Sequence, residues 1–173
     1  AERADAMDQF ASVIAHEIGH VVLRHSVKQM QQAQGANVGM MIGCVLTSIC
    51  NTGLGQAGAQ IGATAVFAKF SRDDEAQADA AGIDELVRAG INPNGMTQMF
   101  EKLLAERKTA PAGLDAFFTD HPLEEDRIQA SRDQVAKINP VIVRALTTNT
   151  PAFEDFKARV RALPLPAPVQ RRR

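Results

Sequence analysis

The sequence predicts a mainly α-helical fold in a single domain. Apolar side chains recur with helical spacing over residues 5–34, and capping residues, glycines and prolines mark the ends of further segments of helical length. No segment shows a convincing alternation of apolar and polar residues, which is the pattern of a half-buried strand. A chain of 173 residues is also long enough for one domain with a real core.

Residues 5–34 are predicted to form one long helix. Asp5 and Asp8 near its start favour the positive end of the helix dipole. The apolar residues that recur at the spacing of one buried face are Met7, Phe10, Val13, Ile14, Ile18, Val21, Val22 and Val27. This face is expected to pack against the rest of the domain.

The segment that follows, residues 29–68, contains no charged residue. Its most apolar part, residues 38–50, resembles a membrane segment in composition. It is nevertheless broken by glycine, and it is shorter than the roughly 20 apolar residues that a spanning helix needs. Two interpretations stay open: the segment forms a buried or semi-mobile helical hairpin, or it forms a lid or membrane-touching element.

The rest of the chain is predicted to form four shorter helices and a tail. Ser71 is placed to cap the first of these helices, and Gly90 is placed to end it. The helices are expected at about residues 72–89, 96–107, 123–138 and 152–162. The stretch between Pro140 and Pro151 shows no clear pattern. Further prolines make residues 164–173 an extended or disordered tail, so the folded domain is expected to cover residues 1–163.

An H-E-x-x-H motif lies on the first predicted helix and is formed by His16, Glu17 and His20. Because the two histidines are four residues apart, they lie on one face of a helix, and both rings can reach one zinc ion at Zn–N distances of about 2.0–2.1 Å. Glu17 projects beside them, where it can act as a general base on a water molecule that zinc activates. The alternative is a pair of solvated histidines. The flanking residues are uncharged, however, as a buried metal helix requires.

We expect one zinc ion per chain. A catalytic zinc site needs a third protein ligand, and Glu75 is the best placed candidate. It begins the polar helix after Ser71, and Asp79 lies one turn further on the same face. One carboxylate can bind zinc while the other, expected to be Asp79, accepts the free ring N–H of a ligand histidine. The alternative is an ordinary solvated acidic helix start. His25, five residues after His20, is expected to face away from the metal and to serve as a structural histidine.

Three motifs, in order along the chain, carry a family resemblance. Residues 16–25 read HEIGHVVLRH, residues 71–79 match S-R-x-x-E-x-x-A-D, and residues 121–128 match H-P-x-x-x-x-R-I. In these motifs the chain resembles the HtpX and CAAX-prenyl-protease family of zinc metallopeptidases, and it is most similar to the family's periplasmic BepA-like branch. The tail beyond Pro164 lies outside the resemblance.

The resemblance implies a gluzincin fold, in which a zinc helix and a glutamate helix flank a cleft. It implies endopeptidase activity on unfolded or misassembled proteins, often of the bacterial envelope, and therefore a periplasmic or membrane-associated location. The charge-free residues 29–68 would then cover the active site or contact the membrane, with residues 36–68 as the possible membrane contact. Members of the family place strands before the metal helix, and we expect this N-terminal sheet to be absent from the chain.

His121 and Arg127 complete the catalytic set that we predict with Glu17. A zinc peptidase must stabilise the oxyanion of its tetrahedral intermediate, and the sequence contains no tyrosine to donate the hydrogen bond. His121 is the histidine that remains, and it precedes a proline on a predicted loop. It either donates to the oxyanion or binds zinc as a fourth ligand in a latent form. The alternative is a histidine at the entry of a helix, with Arg127 paired to Glu124 or Asp126.

Composition and charge exclude nucleic acid as a partner and leave a polypeptide substrate as the expected one. The formal net charge is −1, and the last three residues of the chain are arginines, so the sequence does not indicate a basic face. The first functional hypothesis is a zinc-dependent endopeptidase. The second is a zinc-stabilised binding or chaperone-like module that does not cleave, and a membrane-embedded peptidase is a third. No feature of the sequence indicates an oligomeric state.

Overall fold

The computed structural model describes residues 3–47, 70–109, 121 and 125–164, and these residues are mainly helical. The helices are α1 (Met7–Val22), α2 (His25–Thr47), α3 (Arg72–Arg88), α4 (Asn94–Thr109), α5 (Glu125–Ala136), α6 (Pro140–Ala145) and α7 (Pro151–Arg161). Within these ranges, β pairing is limited to an isolated bridge between Ile91 and Thr147. The predicted mainly α fold is therefore confirmed.

The prediction of a single helix over residues 5–34 is wrong, because the chain breaks between α1 and α2. Arg24 adopts a left-handed backbone conformation, with a φ of 56°. A residue in this conformation does not continue a right-handed helix. The N–H of Leu23 closes the last turn of α1 on the carbonyl oxygen of Gly19, 3.0 Å away. The second helix begins immediately after the break, at His25.

Helix α1 packs most extensively on α3 and, after that, on α4. Glycines allow this close approach. A Cβ added to Gly19 would lie 2.7 Å from the carbonyl oxygen of Ala78, and one added to Gly82 would lie 3.1 Å from the backbone nitrogen of His16. Larger side chains at these two positions would therefore separate α1 from α3. The core next to this contact contains Ala15, Ile83, Leu86, Met96, Met99, Phe100, Leu103, Ile128 and Val135.

Both ends of α3 agree with the prediction from the sequence. Ser71 is the N-cap: its hydroxyl oxygen accepts a hydrogen bond from the Asp74 N–H at 3.1 Å, and Asp74 Oδ2 accepts one from the Ser71 N–H at 3.2 Å. The helix ends at Arg88, and Gly90 follows in a left-handed conformation with a φ of 75°. This capping box determines where the helix starts and places Glu75 in its first turn.

Three of the remaining helices correspond to predicted ones. The helices expected at about residues 96–107, 123–138 and 152–162 are observed as α4, α5 and α7, with ends that differ by a few residues. Helix α6 was not predicted. It begins where Asn139 accepts a hydrogen bond from the Val141 N–H at 2.9 Å and where Pro140 occupies the first helical position, which suits its fixed φ.

The segment between α6 and α7 ties the C-terminal helices to the rest of the fold. The Thr147 N–H donates to the carbonyl oxygen of Gly90, and the Thr147 carbonyl oxygen accepts from the Asn92 N–H, each at 2.9 Å. The next residue, Thr148, accepts a hydrogen bond from the Asp8 N–H at 2.9 Å. These bonds hold the first turn of α1 next to the turn between α3 and α4.

The charge-free segment is described over residues 29–47, which belong to α2. Among its apolar side chains, Met41 and Leu46 are 69% and 78% exposed. Within the described parts of the chain, none of the helices combines the length and the apolar character that crossing a bilayer requires. The rest of the segment, at 48–68, and the predicted tail after Pro164 lie outside the described residues.

Candidate metal centre

Three histidines and a glutamate converge where α1 meets α3. His16 and His20 lie on one face of α1, and their Nε2 atoms are 3.1 Å apart. Glu75 brings Oε1 to 3.3 Å from His20 Nε2 and Oε2 to 3.5 Å from His16 Nε2. The Nδ1 atom of His121 lies 3.3 Å from His16 Nε2 and 3.1 Å from Glu75 Oε1. Among the described residues, these four are close enough together to share one metal ion.

The spacing of these donor atoms fits a tetrahedral zinc ion. Ligand atoms about 2.0–2.1 Å from a tetrahedral ion lie about 3.3–3.4 Å from one another. The five separations given above, 3.1–3.5 Å, span that value, and one ligand atom from each of the four residues can be chosen within 4.8 Å of the others. Imidazole nitrogen and carboxylate oxygen are also donor types that zinc binds. The residues present therefore fit zinc in both chemistry and spacing.

Glu75 is fully buried but held in its charged form. Burial by itself raises the pKa of a carboxyl group. Hydrogen bonds from His121 and His20, together with the charge of Arg127, outweigh that effect and hold the pKa of Glu75 at about 2. Arg127 Nη1 lies 2.5 Å from Glu75 Oε2. The cluster therefore contains an ionised carboxylate at neutral pH.

Asp79 lies one turn after Glu75 and contacts the outer nitrogen of His16, with Asp79 Oδ1 2.8 Å from His16 Nδ1. Because a carboxylate accepts hydrogen bonds, the proton of this ring lies on Nδ1, and Nε2 presents a lone pair to the cluster. The lone pair on His16 Nε2 faces His20 Nε2 at 3.1 Å and the carboxylate of Glu75 at 3.5 Å, an arrangement that a bound cation would stabilise. The two rings are only 3% and 4% exposed, so the alternative of solvated histidines does not describe them.

Arg127 joins the two carboxylates of the site. Its Nε and Nη2 donate to the two oxygens of Asp79, each at 2.8 Å, which makes a bidentate pair. Its guanidinium lies 4.9 Å from the centre of the Phe100 ring. Burial opposes its charge, but the hydrogen bonds to Asp79 raise the pKa of Arg127 above the usual value. These contacts hold Asp79 and Glu75 in position. Glu124, a partner considered from the sequence, lies outside the described residues.

Glu17 and His121 face each other at the edge of the cluster. The side chain of Glu17 is 48% exposed, and its Oε1 lies 3.6 Å from His121 Nε2. Burial lowers the pKa of His121, but its hydrogen bond to Glu75 and the negative charges of Glu75 and Glu17 raise it above the usual value. Glu17 is thus a solvent-accessible carboxylate beside the candidate ligands, which is the position that a general base requires.

His25 lies outside the cluster of candidate ligands and packs as a buried histidine, but it does not continue the helix of His20 as expected. His25 is fully buried, and its Nδ1 lies 2.9 Å from the Nδ1 of His20. On an unbroken helix, a residue five positions later would point about 140° away. The break at Arg24 instead turns His25 back onto His20. Burial lowers the pKa of His25, so its ring is neutral at neutral pH.

Two phenylalanines next to the cluster were not predicted. Phe70 stacks on His20, with ring centres 4.1 Å apart. Phe100 meets His16 edge-on, with ring centres 6.5 Å apart. Phe70 directly precedes the N-cap Ser71, a position where apolar residues often pack across a helix start, so the sequence held a signal for it. No local pattern singles out Phe100.

The chain matches known proteases in sequence. A sequence profile described as peptidase family M48 matches residues 2–135. The chain is 32% identical to the β-barrel assembly-enhancing protease of Escherichia coli (strain K12) over 149 residues, which cover 82% of this chain and 30% of that protein. It is 35% identical to metalloprotease LoiP of the same organism over 133 residues, which cover 75% of this chain and 50% of LoiP.

These matches establish the family. The chain spans between 30% and 50% of the length of these relatives, and a further relative, metalloprotease YcaL of Escherichia coli (strain K12), is 33% identical over 135 residues. The family profile extends over more than half of the chain and includes all four residues of the metal cluster. The resemblance drawn from the three sequence motifs is thereby confirmed. The chain belongs to peptidase family M48, a family of metallopeptidases, and within it to the branch of the β-barrel assembly-enhancing proteases.

Proposed function

We propose that this chain is the catalytic domain of a zinc-dependent endopeptidase. The observation that carries the proposal is the set of donor atoms from His16, His20 and Glu75, spaced for one tetrahedral ion, with the carboxylate of Glu17 beside it. In this proposal those three residues bind zinc, and Asp79 holds His16 through its outer nitrogen. Membership of family M48 supports peptide-bond hydrolysis as the reaction.

The catalytic work of the chain is divided among few side chains. Zinc bound at this site would supply Lewis acidity towards water and towards the scissile carbonyl group. Glu17 accepts the proton of the attacking water, because its carboxylate is accessible to solvent and close to the ligands. It then returns a proton to the leaving amine. Arg127 helps to keep Glu75 ionised, and its hydrogen bonds orient both Glu75 and Asp79.

His121 has one of two roles in the proposed enzyme. In the first role, it donates a hydrogen bond to the developing oxyanion of the substrate. In the second role, its Nδ1 remains among the ligand atoms and excludes water, so the enzyme is latent until the chain around His121 moves. The separation of 3.3 Å between His121 Nδ1 and His16 Nε2 supports the second role for the conformation described above.

We propose unfolded or misassembled polypeptides as substrates and the bacterial envelope, periplasmic or membrane-associated, as the location. One relative is named for enhancing β-barrel assembly, and this name supports substrates among proteins that fail to assemble. An unfolded substrate such as casein should be cut faster than a folded protein of similar size. Equal cleavage of the two would contradict this choice of substrate, and recovery of the chain only in the cytoplasmic fraction of its host would contradict the location.

Zinc content and a single substitution test the proposed mechanism. Protein purified without added metal should contain close to one zinc ion per chain by elemental analysis, and a chelator should stop casein digestion. Glu17→Gln should retain the zinc and lose proteolysis, because an amide does not accept the proton of water. Glu85→Gln is the matched control, since Glu85 lies outside the cluster and pairs with Arg88. Wild-type cleavage by Glu17→Gln would exclude Glu17 as the base.

One observation favours the alternative of a zinc-stabilised module that binds proteins without cleaving them. With His121 included, the cluster supplies four protein donors, and structural zinc sites are closed by four protein ligands. The two functions differ in a direct measurement. A zinc-loaded protein that binds unfolded casein but leaves it intact, with and without His121, would favour the silent module over the peptidase.

We also propose that the second half of α2 contacts a membrane surface. Its apolar side chains Val38, Met41, Ile42 and Leu46 are 57%, 69%, 55% and 78% exposed, and residues 29–47 carry no charge to oppose contact with lipid. Co-sedimentation with lipid vesicles tests this contact. Met41→Ser combined with Leu46→Ser should abolish binding, whereas Val141→Ser, at an exposed position in α6, should leave it unchanged. Equal sedimentation of all variants would exclude the contact.

A further inference from the structure

His20 is contacted through both of its ring nitrogens. Its Nε2 faces the candidate ligand atoms of His16 and Glu75, at 3.1 and 3.3 Å. Its Nδ1 faces away from them and lies 2.9 Å from the Nδ1 of His25. The two rings cross at 76°, with centres 4.9 Å apart. Both histidines are buried, so this contact is shielded from solvent.

The direction of this hydrogen bond follows from the role of the other nitrogen. A neutral histidine that binds a metal through Nε2 carries its proton on Nδ1, and metal-binding histidines usually donate that proton to a fixed acceptor. Asp79 is such an acceptor for His16, at 2.8 Å. For His20, the acceptor within hydrogen-bond distance among the described residues is the Nδ1 of His25. His25 thus contacts the outer nitrogen of His20 in the same way that Asp79 contacts the outer nitrogen of His16.

The chain reaches this arrangement through an uncommon backbone conformation. Arg24 has a φ of 56°, a value that residues other than glycine rarely adopt. Without this break, His25 would lie on the far side of the helix from His20. With it, His25 becomes the first residue of α2 and packs inward with 0% exposure.

His25 also lies close to the helix that carries Glu75. Its Nε2 is 3.6 Å from Asp74 Oδ1, while Asp74 Oδ2 accepts hydrogen bonds from Ser71 in the capping box. The ring of His25 therefore lies between the end of α1, which carries His20, and the start of α3. Rotation of His20 about its side-chain bonds would break the bond to His25.

We propose that His25 is a positioning residue of the metal centre: it accepts the Nδ1 proton of His20 and so keeps His20 Nε2 directed at the metal. This proposal rests on the zinc site proposed above. It assigns a task to a histidine that is not among the four residues of the cluster. It also explains why the chain breaks where it does, between the two histidines.

Two substitutions of matched shape test the proposal. His25→Asn places a side-chain oxygen where the acceptor nitrogen Nδ1 was. His25→Leu has the same branched shape as the asparagine but carries no hydrogen-bond acceptor. His25→Gln also carries an amide oxygen, but one position further along the side chain, and it serves as the control for position. The measurements are the zinc dissociation constant of the full chain, by competition with a chromogenic chelator, and the melting temperature of the metal-free protein.

The expected result is a loss of zinc affinity that the correctly placed acceptor restores. His25→Leu and His25→Gln should weaken zinc binding by about 10–100-fold, the usual effect of removing a partner of a metal ligand. His25→Asn should remain within about 3-fold of the wild type, well short of that loss. The metal-free melting temperatures of His25→Leu and His25→Asn should agree, because the two variants fill the same space.

Each contrary result has a distinct meaning. Equal zinc affinity of His25→Leu and the wild type would overturn the positioning role, and so would an equal loss in His25→Leu and His25→Asn, which would indicate ring packing alone. Absence of zinc binding by the wild type would overturn the zinc site itself. If His25→Leu does not fold, His25→Phe takes its place. Failure of both apolar variants to fold, with His25→Asn folded, would assign the bond to stability and overturn the role in metal binding.

Discussion

Gly19 and Ala78 lie in direct backbone contact where α1 crosses α3, because a Cβ built on Gly19 would lie 2.7 Å from the carbonyl oxygen of Ala78 and 3.0 Å from its Cα. The contacting atoms of Ala78 belong to the main chain, so no change of side-chain rotamer can relieve the contact. Gly19 also lies directly before the metal-site residue His20. Close packing of α1 on α3, and with it the geometry of the candidate site, therefore depends on the absence of a side chain at Gly19.

Gly19→Ala should destabilise the protein by about 1–3 kcal/mol, because the added methyl group forces α1 away from α3. The same displacement moves His20 relative to Glu75, so zinc affinity should fall as well. Chemical denaturation of the metal-free protein and chelator competition measure the two effects.

Gly39→Ala is the matched control for this substitution. An added Cβ there would have no atom within 4 Å, and alanine in an exposed helix interior is about 0.5–1 kcal/mol more favourable than glycine. It should therefore stabilise α2 slightly. A loss of stability at Gly39 as large as that at Gly19 would show that the close contact is not the cause.

Arg127→Gln should destabilise the metal-free protein by about 3–5 kcal/mol, because it leaves the buried carboxylates of Glu75 and Asp79 without their shared cation. Arg88→Gln removes an exposed pair with Glu85 and should cost less than about 1 kcal/mol. Urea denaturation of both variants at equal ionic strength measures the difference. Similar losses for the two would mean that the bidentate pair contributes no more than a surface ion pair.

Asp8→Asn should stabilise the protein at neutral pH. Burial raises the pKa of Asp8 above 3.8 in the folded protein, and its Oδ2 has no hydrogen-bond partner. A raised carboxyl pKa gives stability that is present below the unfolded pKa and lost as the pH rises through the folded pKa. The advantage of Asp8→Asn should therefore be greatest near about pH 7 and vanish below about pH 4.

Asp5→Asn should show the opposite dependence on pH. The hydrogen bond from Lys102 lowers the pKa of Asp5 in the folded protein below its ordinary value of 3.8. Asp5 therefore stabilises the folded protein at pH values above 3.8, and this stabilisation disappears as the pH falls through the folded pKa. The effect should be small, because the side chain of Asp5 is 71% exposed. Unfolding free energies across this pH range test both aspartates. If the unfolding free energies of Asp8→Asn and the wild type differ by the same amount at every pH, the predicted pH dependence does not come from Asp8.

His121→Ala decides between the two roles of this histidine in the proposed peptidase. If His121 is the oxyanion donor, activity should fall by about 100–1,000-fold while zinc content stays the same. If it holds the enzyme latent as a fourth ligand, casein cleavage should rise and zinc affinity should fall. Unchanged activity together with unchanged zinc affinity would exclude both roles and leave His121 as a residue at a helix entry.

The sequence by itself determined the parts of the site that depend on one helix at a time. His16 and His20 share a face because a helix repeats every 3.6 residues, and Asp79 follows Glu75 by one turn for the same reason. The N-cap at Ser71 is equally local, because its hydrogen bond reaches only to Asp74. Relations of this kind involve a few consecutive residues, so residue type and spacing were sufficient to predict them.

Only the tertiary structure decided which residues from distant parts of the chain meet. His121 reaches His16 across 105 positions, and Arg127 reaches Asp79 across 48, contacts that depend on how α1, α3 and α5 pack. The break at Arg24 has no local signal, because glycine, not arginine, is the usual left-handed residue. Burial of His25 against His20 accompanies that conformation and is a property of the folded core. A pattern of neighbouring residues therefore could not predict the contact between His25 and His20.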